Sequence, residues 1–239
     1  MTTSTTAPQL VPASDSVIDT IKITTIIFDM DGVLADSEPR WNDIDRELLG
    51  AYGIDYAGEH KHHVLGKSFD LSMQFYKQTY DLPHEIDDMN TRRQHIAADY
   101  YANHIAPFED APRVLQALKE LGFRIGLATS SRRNLAESFL SRHELTLFFD
   151  TVVTGEDVQN GKPHPDIYLR AAELLGSAPN HCLVVEDSLA GVEAGKSAGM
   201  SVAAIPDAQF VNAQDYIGRA DWVLSRLGEV VELAARLRL

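Results

Sequence analysis

The hydrophobic pattern near the start of the chain is a continuous apolar run that ends at two carboxylates. Residues 21–28 are rich in Ile and Thr, and Asp29 and Asp31 follow them directly. Such a run predicts a strand buried on both faces, as in a parallel α/β sheet. Side chains at positions i and i+2 of an extended chain point the same way, so the two carboxylates should converge on one small volume. Two like charges held there need a cation or a shared proton.

The segment that follows changes to a helical pattern and contains no convincing strand. Apolar side chains recur at helical spacing from Trp41 to Tyr52, which predicts a helix. Two further helices are predicted over residues 68–80 and 85–104. A crossover between two parallel strands usually needs only one helix. We therefore interpret residues 37–106 as an inserted all-helical cap.

From residue 111 onward the pattern alternates between helix and strand, which is typical of βα units around a parallel sheet. Helices are predicted over residues 111–121, 134–143, 166–175, 189–198 and 227–237, and strands over residues 123–128, 151–154, 182–186 and 201–205. The sequence thus predicts an α/β fold in which a Rossmann-like parallel sheet core, formed by residues 21–36 and 107–239, carries the helical cap. Residues 1–20, rich in Thr, Ser and Pro, are predicted to be a disordered tail.

Composition and charge narrow the class of protein. The 239 residues are 44% hydrophobic, which is enough for a full core, and they carry a net charge of -14. We expect neither nucleic acid nor a membrane surface as a partner, because both would need a basic surface. The single cysteine, Cys182, excludes an internal disulfide and fits a reducing compartment. With no secretory signal pattern in the sequence, we expect a cytoplasmic monomer.

Polar side chains follow three of the predicted strands at the point where each strand ends. The residues at these tips are Asp29 with Asp31, Thr129 with Ser130, and Glu186 with Asp187. In open α/β sheets, ligands bind outside the carboxyl ends of the strands, so the three tips should meet in one crevice. Lys162, in a loop stiffened by Pro163 and Pro165, is the fourth component.

Together these groups predict a metal-assisted site for phosphoryl transfer. Oxygen ligands suit Mg²⁺, which usually takes few protein carboxylates and keeps waters and substrate oxygens. We assign the predicted metal site to Asp29, Asp31, Glu186 and Asp187. Thr129, the backbone N–H of Ser130 and Lys162 would hold phosphate oxygens.

The two aspartates after the first strand have different predicted roles. Asp29 would attack phosphorus in line and form an aspartyl-phosphate that water later hydrolyses. Asp31 would protonate the leaving oxygen and then activate that water. Phosphate monoesters hydrolyse extremely slowly without a catalyst, so the metal, Lys162 and the donors at Thr129 must also neutralise the transferring group.

The motifs resemble those of the haloacid dehalogenase superfamily. The resemblance covers about residues 23–207 and rests on Asp29-Met30-Asp31-Gly32-Val33-Leu34, Thr129, Lys162 and Glu186-Asp187. Within the superfamily, the chain is similar to the phosphatases and mutases related to β-phosphoglucomutase, whose helical cap is inserted just after the first motif. The aspartate at position 31 implies phosphate rather than halide chemistry, because the dehalogenase members lack an aspartate at that place.

Further details of the resemblance favour a phosphatase over a mutase. The segment Ser37-Glu38-Pro39-Arg40-Trp41 resembles the sugar-phosphate phosphatases of the group, such as 2-deoxyglucose-6-phosphate phosphatase. β-Phosphoglucomutases carry a histidine where this chain has Trp41 and a cap arginine where Phe69 falls. We therefore predict a Mg²⁺-dependent phosphatase for a small sugar or polyol phosphate, with a phosphosugar mutase as the alternative. The predicted substrate contacts are Ser130, Ser131, Arg132, Trp41, Lys67 and Phe69.

Simpler interpretations of the same residues stay open. Glu186 and Asp187 could merely cap the helix that follows them. Three histidines in one predicted loop, His60, His62 and His63, are interpreted as a solvated turn rather than a metal site, since no cysteine accompanies them. A regulatory protein that keeps the scaffold with little turnover is the second class of hypothesis, and the intact pair of aspartates argues against it.

Overall fold

A computed structural model describes residues 22–64, 69–209 and 211–238. Its strands, which form one sheet, are β1 (Thr25–Phe28), β2 (Arg124–Thr129), β3 (Thr151–Thr154), β4 (Cys182–Glu186), β5 (Ser201–Ala204) and β6 (Trp222–Val223). Every neighbouring pair is parallel, and the strand order is β3-β2-β1-β4-β5-β6. The predicted α/β fold with a Rossmann-like parallel sheet is confirmed.

The helices fall into two groups along the chain. Between β1 and β2 lie α1 (Glu38–Gly50), α2 (Lys61–Val64), α3 (Phe69–Thr79), α4 (Ile86–Asn103) and α5 (Ala111–Glu120). The remaining helices are α6 (Arg133–Arg142), α7 (Asp166–Leu174), α8 (Leu189–Ser197) and α9 (Glu229–Leu237), with short 3₁₀ turns at Thr146–Phe148, Gly155–Asp157, Pro179–His181 and Ala213–Tyr216. None of the helices in the described part of the chain combines the length and the apolar character needed to cross a bilayer.

Helices cover the sheet on both faces, and β1 lies in the middle of the core. All residues of β1 are buried, as the unbroken apolar run predicted. Ile26 and Phe28 belong to the apolar cluster that includes α5, α6 and α9. Ile27, between them, belongs to the cluster on the opposite face, which includes α7 and α8. This alternation follows from the period of two along a strand.

The order of the strands reverses between β1 and β4. The chain adds β2 and β3 on one side of β1, and β4, β5 and β6 on the other. Phe28 at the end of β1 is in register with Leu127 of β2 and Val185 of β4. A crevice forms at such a reversal outside the carboxyl ends of the flanking strands, and ligands of α/β proteins bind there. Asp29 and Asp187 follow β1 and β4 at this point.

In the described residues between β1 and α5, the regular elements are helices, which turns and loops connect. Helices α1 to α4 enclose a small core of their own that includes Leu48, Met73 and Met89. The chain leaves the sheet and returns to it at one place, because the Asp36 N–H donates to the Ala106 carbonyl at 2.9 Å. This segment coincides with the region that the sequence predicts to be a cap.

Several elements differ from their predicted bounds. The first strand was predicted from residue 21, but β1 begins at Thr25, because Ile23 pairs with the C-terminal segment at Arg238 instead. Strand β6 was not predicted, since two residues are too few to show a periodic pattern.

Residues 1–20 and Lys67 lie outside the described residues. The disorder predicted for the first and the substrate contact predicted for the second therefore stay predictions.

The predicted loop at the histidines is partly helical, and the prediction of solvated side chains agrees with the exposed His63 and the half-buried His60. Helix α2 covers part of this loop, and the His63 ring stacks on Phe75 with 4.9 Å between ring centres. The His60 ring packs edge-on against Phe75 at 5.5 Å. Both rings therefore pack against Phe75, while His63 remains exposed to solvent.

Candidate active site

A buried lysine joins the ends of β1 and β4. The Lys162 ammonium group lies 2.6 Å from Asp29 Oδ1 and 2.6 Å from Glu186 Oε1, and it donates to the Ala128 carbonyl at 3.2 Å. Lys162 is only 4% exposed. Burial acts to lower the pKa of Lys162, but the charges of the two carboxylates outweigh this effect and raise it well above its ordinary value. The lysine is therefore a permanent cation at this point.

Glu186 is fully buried and fully hydrogen-bonded. Besides Lys162, its Oε1 accepts from the Tyr168 hydroxyl at 2.7 Å. Its Oε2 accepts from the backbone N–H groups of Asp187 and Ser188 at 3.0 and 2.9 Å, and from the Ser188 hydroxyl at 3.0 Å. Burial acts to raise the pKa of Glu186, yet Lys162 and these hydrogen bonds hold it below its ordinary value. Glu186 thus stays charged and fixes the lysine in place.

Two glycines make room for the carboxylates at the end of β4. A Cβ atom on Gly32 would lie 2.1 Å from Asp187 Oδ2, and one on Gly191 would lie 1.7 Å from Glu186 Oε1. Gly32 also has a φ of +77°, which side chains rarely tolerate. Any larger residue at either position would displace a carboxylate of the site.

The N-cap of α8 is Ser188, whose hydroxyl oxygen accepts from the Gly191 N–H. The simpler interpretation, in which Glu186 or Asp187 caps this helix, is therefore wrong. Their carboxylates belong to the cluster at the strand ends.

Three carboxylates of the cluster are close enough to share one cation. Oxygen atoms of Asp29, Glu186 and Asp187 all lie within 4.8 Å of one another. Burial raises the pKa of Asp29 to about 8, although Lys162 acts to lower it. The single positive charge of Lys162 is smaller than the combined negative charge of three ionised carboxylates. A bound cation would therefore stabilise the cluster. Oxygen donors of this kind fit a hard divalent cation such as Mg²⁺.

Asp31 is turned away from this group and is held by hydroxyl groups. Its Oδ1 accepts from the Ser37 hydroxyl at 2.7 Å and from the Tyr101 hydroxyl, and its Oδ2 accepts from the Ser131 hydroxyl at 2.6 Å. Thr129 and Ser131 are linked in turn, because the Ser131 N–H donates to Thr129 Oγ1 at 3.1 Å. Asp31 was predicted to be a metal ligand. Within the described part of the chain, its carboxylate is not one of the three that lie close enough to share a cation.

The predicted substrate contacts of the helical segment meet those of the core beside Asp31. The Trp41 ring lies 6.0 Å from Tyr101 and 5.7 Å from Phe69, measured between ring centres. The Arg132 guanidinium carbon lies 5.8 Å from the centre of the Phe69 ring. Ser130, half-buried, follows Thr129 at the end of β2. Of the predicted contacts, Lys67 alone lies outside the described residues.

Sequence reasoning missed three hydroxyl groups of the site. Tyr168 supports Glu186, while Ser37 and Tyr101 bind Asp31. Both tyrosines lie at helical spacing among apolar residues and are fully buried, so their pattern is that of core positions. A polar phenol buried at such a position needs a partner, which is the one signal that could have marked them.

The fold and the site define a hydrolase. The sequence profile of the haloacid dehalogenase-like hydrolases matches residues 26–205, and the chain belongs to this family. The predicted superfamily is thereby confirmed. Relatives that are phosphatases confirm the predicted enzyme class, a phosphoric monoester hydrolase.

Curated relatives cover most of the chain. A probable pseudouridine-5'-phosphatase of Drosophila melanogaster is 35% identical over 87% of this chain and 91% of its own length. Hexitol phosphatase B of Escherichia coli K12 is 31% identical over 87% of this chain and 95% of its own length. A bifunctional riboflavin kinase/FMN phosphatase of Arabidopsis thaliana is 35% identical, but the chain spans only 48% of that longer protein.

Solved structures share the fold over nearly the whole chain. A mutant of CbbY from Rhodobacter sphaeroides, in complex with xylulose-(1,5)bisphosphate, superposes with a TM-score of 0.79 and 25% sequence identity. The match covers 91% of this chain and 100% of that one. The helical segment is therefore part of the shared architecture, together with the sheet.

Proposed function

We propose that the protein is a Mg²⁺-dependent phosphatase that hydrolyses a small sugar or polyol phosphate through an aspartyl-phosphate on Asp29. The observation that carries this proposal is the position of Lys162, which holds Asp29 and Glu186 at 2.6 Å each beneath the crevice at the strand reversal. A buried cation next to a buried carboxylate suits a site that must stabilise a transferring phosphoryl group.

The first step is attack of Asp29 on phosphorus. Asp29 Oδ1 is fixed by Lys162, and among the described residues Oδ2 accepts no hydrogen bond, so Oδ2 is the oxygen free to attack. A bond forms between this oxygen and phosphorus while the bond from phosphorus to the ester oxygen breaks. Asp31 donates its proton to the departing oxygen, which leaves as an alcohol.

The second step releases phosphate. Asp31, now a carboxylate, takes a proton from a water molecule, whose oxygen attacks phosphorus and breaks the bond to Asp29. The hydroxyl groups of Ser37, Tyr101 and Ser131 orient the Asp31 carboxylate for both transfers. Lys162 and the donors at Thr129 and Ser130 hold the other phosphate oxygens.

Asp29 and Asp187 are the carboxylates best suited to hold Mg²⁺. Glu186 already accepts hydrogen bonds at both oxygens, so it supports the site by fixing Lys162. When bound, the cation supplies charge that neutralises phosphate oxygens and lowers repulsion of the attacking carboxylate.

We also infer that residues 37–106 act as a cap over the site. Two observations support this: both linkers meet at the Asp36–Ala106 hydrogen bond, and Tyr101 of α4 reaches Asp31. Closure of such a lid excludes water and completes a site. The sugar or polyol substrate is supported by the hexitol phosphatase relative, and the neighbouring rings of Trp41 and Phe69 on the helical segment offer apolar surface for its carbon chain.

Turnover of p-nitrophenyl phosphate with Mg²⁺ tests the proposal. We expect wild-type protein to release p-nitrophenol and to lose this activity when EDTA removes the metal. Asp29→Asn should lower kcat by about 10⁴-fold or more, as removal of a covalent nucleophile does in other hydrolases. Asp55→Asn, the same change at an exposed position, is the matched control. Activity of Asp29→Asn within tenfold of wild type would contradict the assignment of Asp29 as nucleophile.

A further inference from the structure

Arg93 is a buried arginine whose terminal nitrogens have no partner among the described residues. It lies on α4, is 5% exposed, and donates from Nε to Asp45 Oδ1 at 2.7 Å. This is the only hydrogen bond that the Arg93 side chain makes with the described residues. Among the fully buried side-chain nitrogen and oxygen atoms of those residues, Asn90 Oδ1 alone lacks a partner. Within the described part of the chain, the Nη1 and Nη2 donors of Arg93 are therefore unused, while the residue as a whole is almost completely buried.

This guanidinium lies between two of the predicted substrate contacts. Its carbon is 4.7 Å from the centre of the Trp41 ring and 4.8 Å from that of the Phe69 ring. Trp41 in turn neighbours Tyr101, which donates to Asp31. Two side chains, Trp41 and Tyr101, thus connect Arg93 to the proposed acid Asp31 on the helical side of the crevice.

The charge of Arg93 is already balanced. Asp45 is itself buried, and its second oxygen accepts from the Tyr76 hydroxyl at 2.7 Å. A buried ion pair of this kind is neutral as a unit, so it offers little attraction to a second anion. Its remaining N–H groups still need acceptors. Neutral oxygen atoms, such as those of hydroxyl groups, meet this requirement.

A free acceptor lies one turn earlier on the same helix. Asn90 Nδ2 donates to Asp70 Oδ1, while Asn90 Oδ1 is buried without a donor from the described residues. Positions 90 and 93 are i and i+3, so the two side chains share one face of α4. A hydroxyl group both donates and accepts, whereas a phosphate at neutral pH mainly accepts.

We propose that Arg93, between Trp41 and Phe69, is a specificity subsite for the hydroxyl groups on the non-reacting part of the substrate. The proposal rests on the proposed phosphatase function and narrows its substrate class to monophosphates whose remainder is neutral and polyhydroxylated. Guanidinium N–H groups bind the hydroxyl oxygens, and the rings cover the carbon chain. Bisphosphates are disfavoured, because Asp45 leaves no net positive charge for the second phosphate.

The test compares substrates with and without hydroxyl groups in an Arg93→Lys variant. Lysine keeps the positive charge beside Asp45 but lacks the planar fork of donors. We expect kcat/KM for glucose 6-phosphate and sorbitol 6-phosphate to fall by about 10- to 100-fold, the usual effect of losing charge-assisted hydrogen bonds. p-Nitrophenyl phosphate should change by less than about threefold, because it has no hydroxyl groups for Arg93 to bind.

Arg92→Lys is the matched control, since Arg92 is the exposed neighbour of Arg93 on α4. It should leave all substrates unchanged. If Arg93→Lys melts at a lower temperature, the double variant Arg93→Met with Asp45→Asn removes both buried charges and allows the same comparison. The same selective loss on hydroxylated substrates is expected.

Three results would overturn the subsite. They are an equal loss on p-nitrophenyl phosphate in a folded variant, no change on any substrate, and a wild-type preference for fructose 1,6-bisphosphate over both monophosphates. Failure of the wild type to hydrolyse p-nitrophenyl phosphate would instead refute the proposed phosphatase function. The two proposals therefore fail by different measurements.

Discussion

The Asp31 carboxylate takes hydrogen bonds from three hydroxyl groups that lie far apart in the chain. Ser37 precedes α1, Tyr101 lies near the end of α4, and Ser131 follows β2. An acid that must donate to one oxygen and later accept from a water has to keep its orientation through both steps. The hydroxyl of Tyr101 comes from the helical segment, so the orientation of Asp31 depends on the position of that segment.

Removal of this hydroxyl should affect substrates according to their leaving groups. We expect Tyr101→Phe to lower kcat for an alkyl phosphate such as glycerol phosphate by about 10-fold, less than the about 10²-fold or more that general acid catalysis contributes, because Asp31 itself remains. p-Nitrophenyl phosphate should lose less than about threefold, because its good leaving group needs little protonation. Steady-state kinetics on both substrates checks this.

Tyr100→Phe is the control for this prediction, since the neighbouring hydroxyl lies on the half-buried side of α4. It should leave both rates unchanged. Equal losses on the two substrates in Tyr101→Phe would mean that Tyr101 supports the fold rather than the proton transfer.

Among individual residues, the polar residues of the site that follow strands could be predicted from the sequence. Polar residues of the site that occupy core positions of helices could not. Asp29 was singled out because it directly follows a buried strand, and Lys162 because two prolines stiffen its loop; the structure brings the two side chains to 2.6 Å. Tyr101, Tyr168 and Arg93 come from helices whose pattern shows only which face is buried. Their partners lie tens of residues away, so no local spacing could reveal them.

Helix α8 is placed by a contact that only glycine permits. Its Gly191 faces the Glu186 carboxylate, and a Cβ there would lie 1.7 Å from Oε1. By helix propensity alone, Gly191→Ala should stabilise the protein by about 1 kcal/mol. The steric effect opposes this, because Glu186 would have to leave Lys162 or the N–H groups of Asp187 and Ser188.

We therefore expect Gly191→Ala to destabilise the protein and inactivate the site together. Breaking a buried ion pair costs about 3–5 kcal/mol, which for a chain of this size lowers Tm by roughly 6–20 °C. Gly50→Ala in α1, where no atom lies within 4 Å of the added Cβ, should cause no loss. Calorimetry and phosphate release from p-nitrophenyl phosphate measure both effects. Normal melting and activity in Gly191→Ala would show that α8 shifts to accept the methyl group.

Among secondary-structure elements, long helices with a periodic apolar pattern could be predicted from the sequence. The bounds and existence of short strands, which depend on pairing with distant strands, could not. Helices α4 and α7 were predicted to within one or two residues, since their apolar positions recur over several turns. The start of β1 depends on the C-terminal segment pairing at Ile23, and β6 exists because it extends the edge next to β5. Both are decided by tertiary contacts between distant parts of the chain.

The protein as a whole is acidic, and three of its carboxylates are buried close together at the strand reversal. Its net charge is -14, and screening at physiological salt weakens interactions between exposed charges beyond about 8 Å. The buried carboxylates of Asp29, Glu186 and Asp187 are screened much less, and Lys162 offsets only part of their charge. Folding thus holds together groups that repel one another until a cation binds.

Binding of Mg²⁺ should therefore raise the stability of the whole protein, independently of turnover. A ligand present at 100 times its Kd stabilises the folded state by about 2.7 kcal/mol, which corresponds to a rise in Tm of roughly 5–10 °C. Asp187→Asn should abolish most of this rise. In the metal-free protein the same change should be neutral or stabilising, because it removes one of the repelling charges. Differential scanning calorimetry with and without Mg²⁺ gives both numbers.

Asp88→Asn, on the exposed side of α4, makes the same change in net charge and is the matched control. It should keep the full response to Mg²⁺, because an exposed charge at a distance is screened. If Asp187→Asn responds to Mg²⁺ as the wild type does, the cation binds elsewhere. If Asp88→Asn loses the response as well, the effect of Mg²⁺ depends on net charge and not on the carboxylates between β1 and β4. The combination of a lost response in Asp187→Asn and a retained one in Asp88→Asn would locate the cation at the strand reversal, where the fold alone directs a ligand.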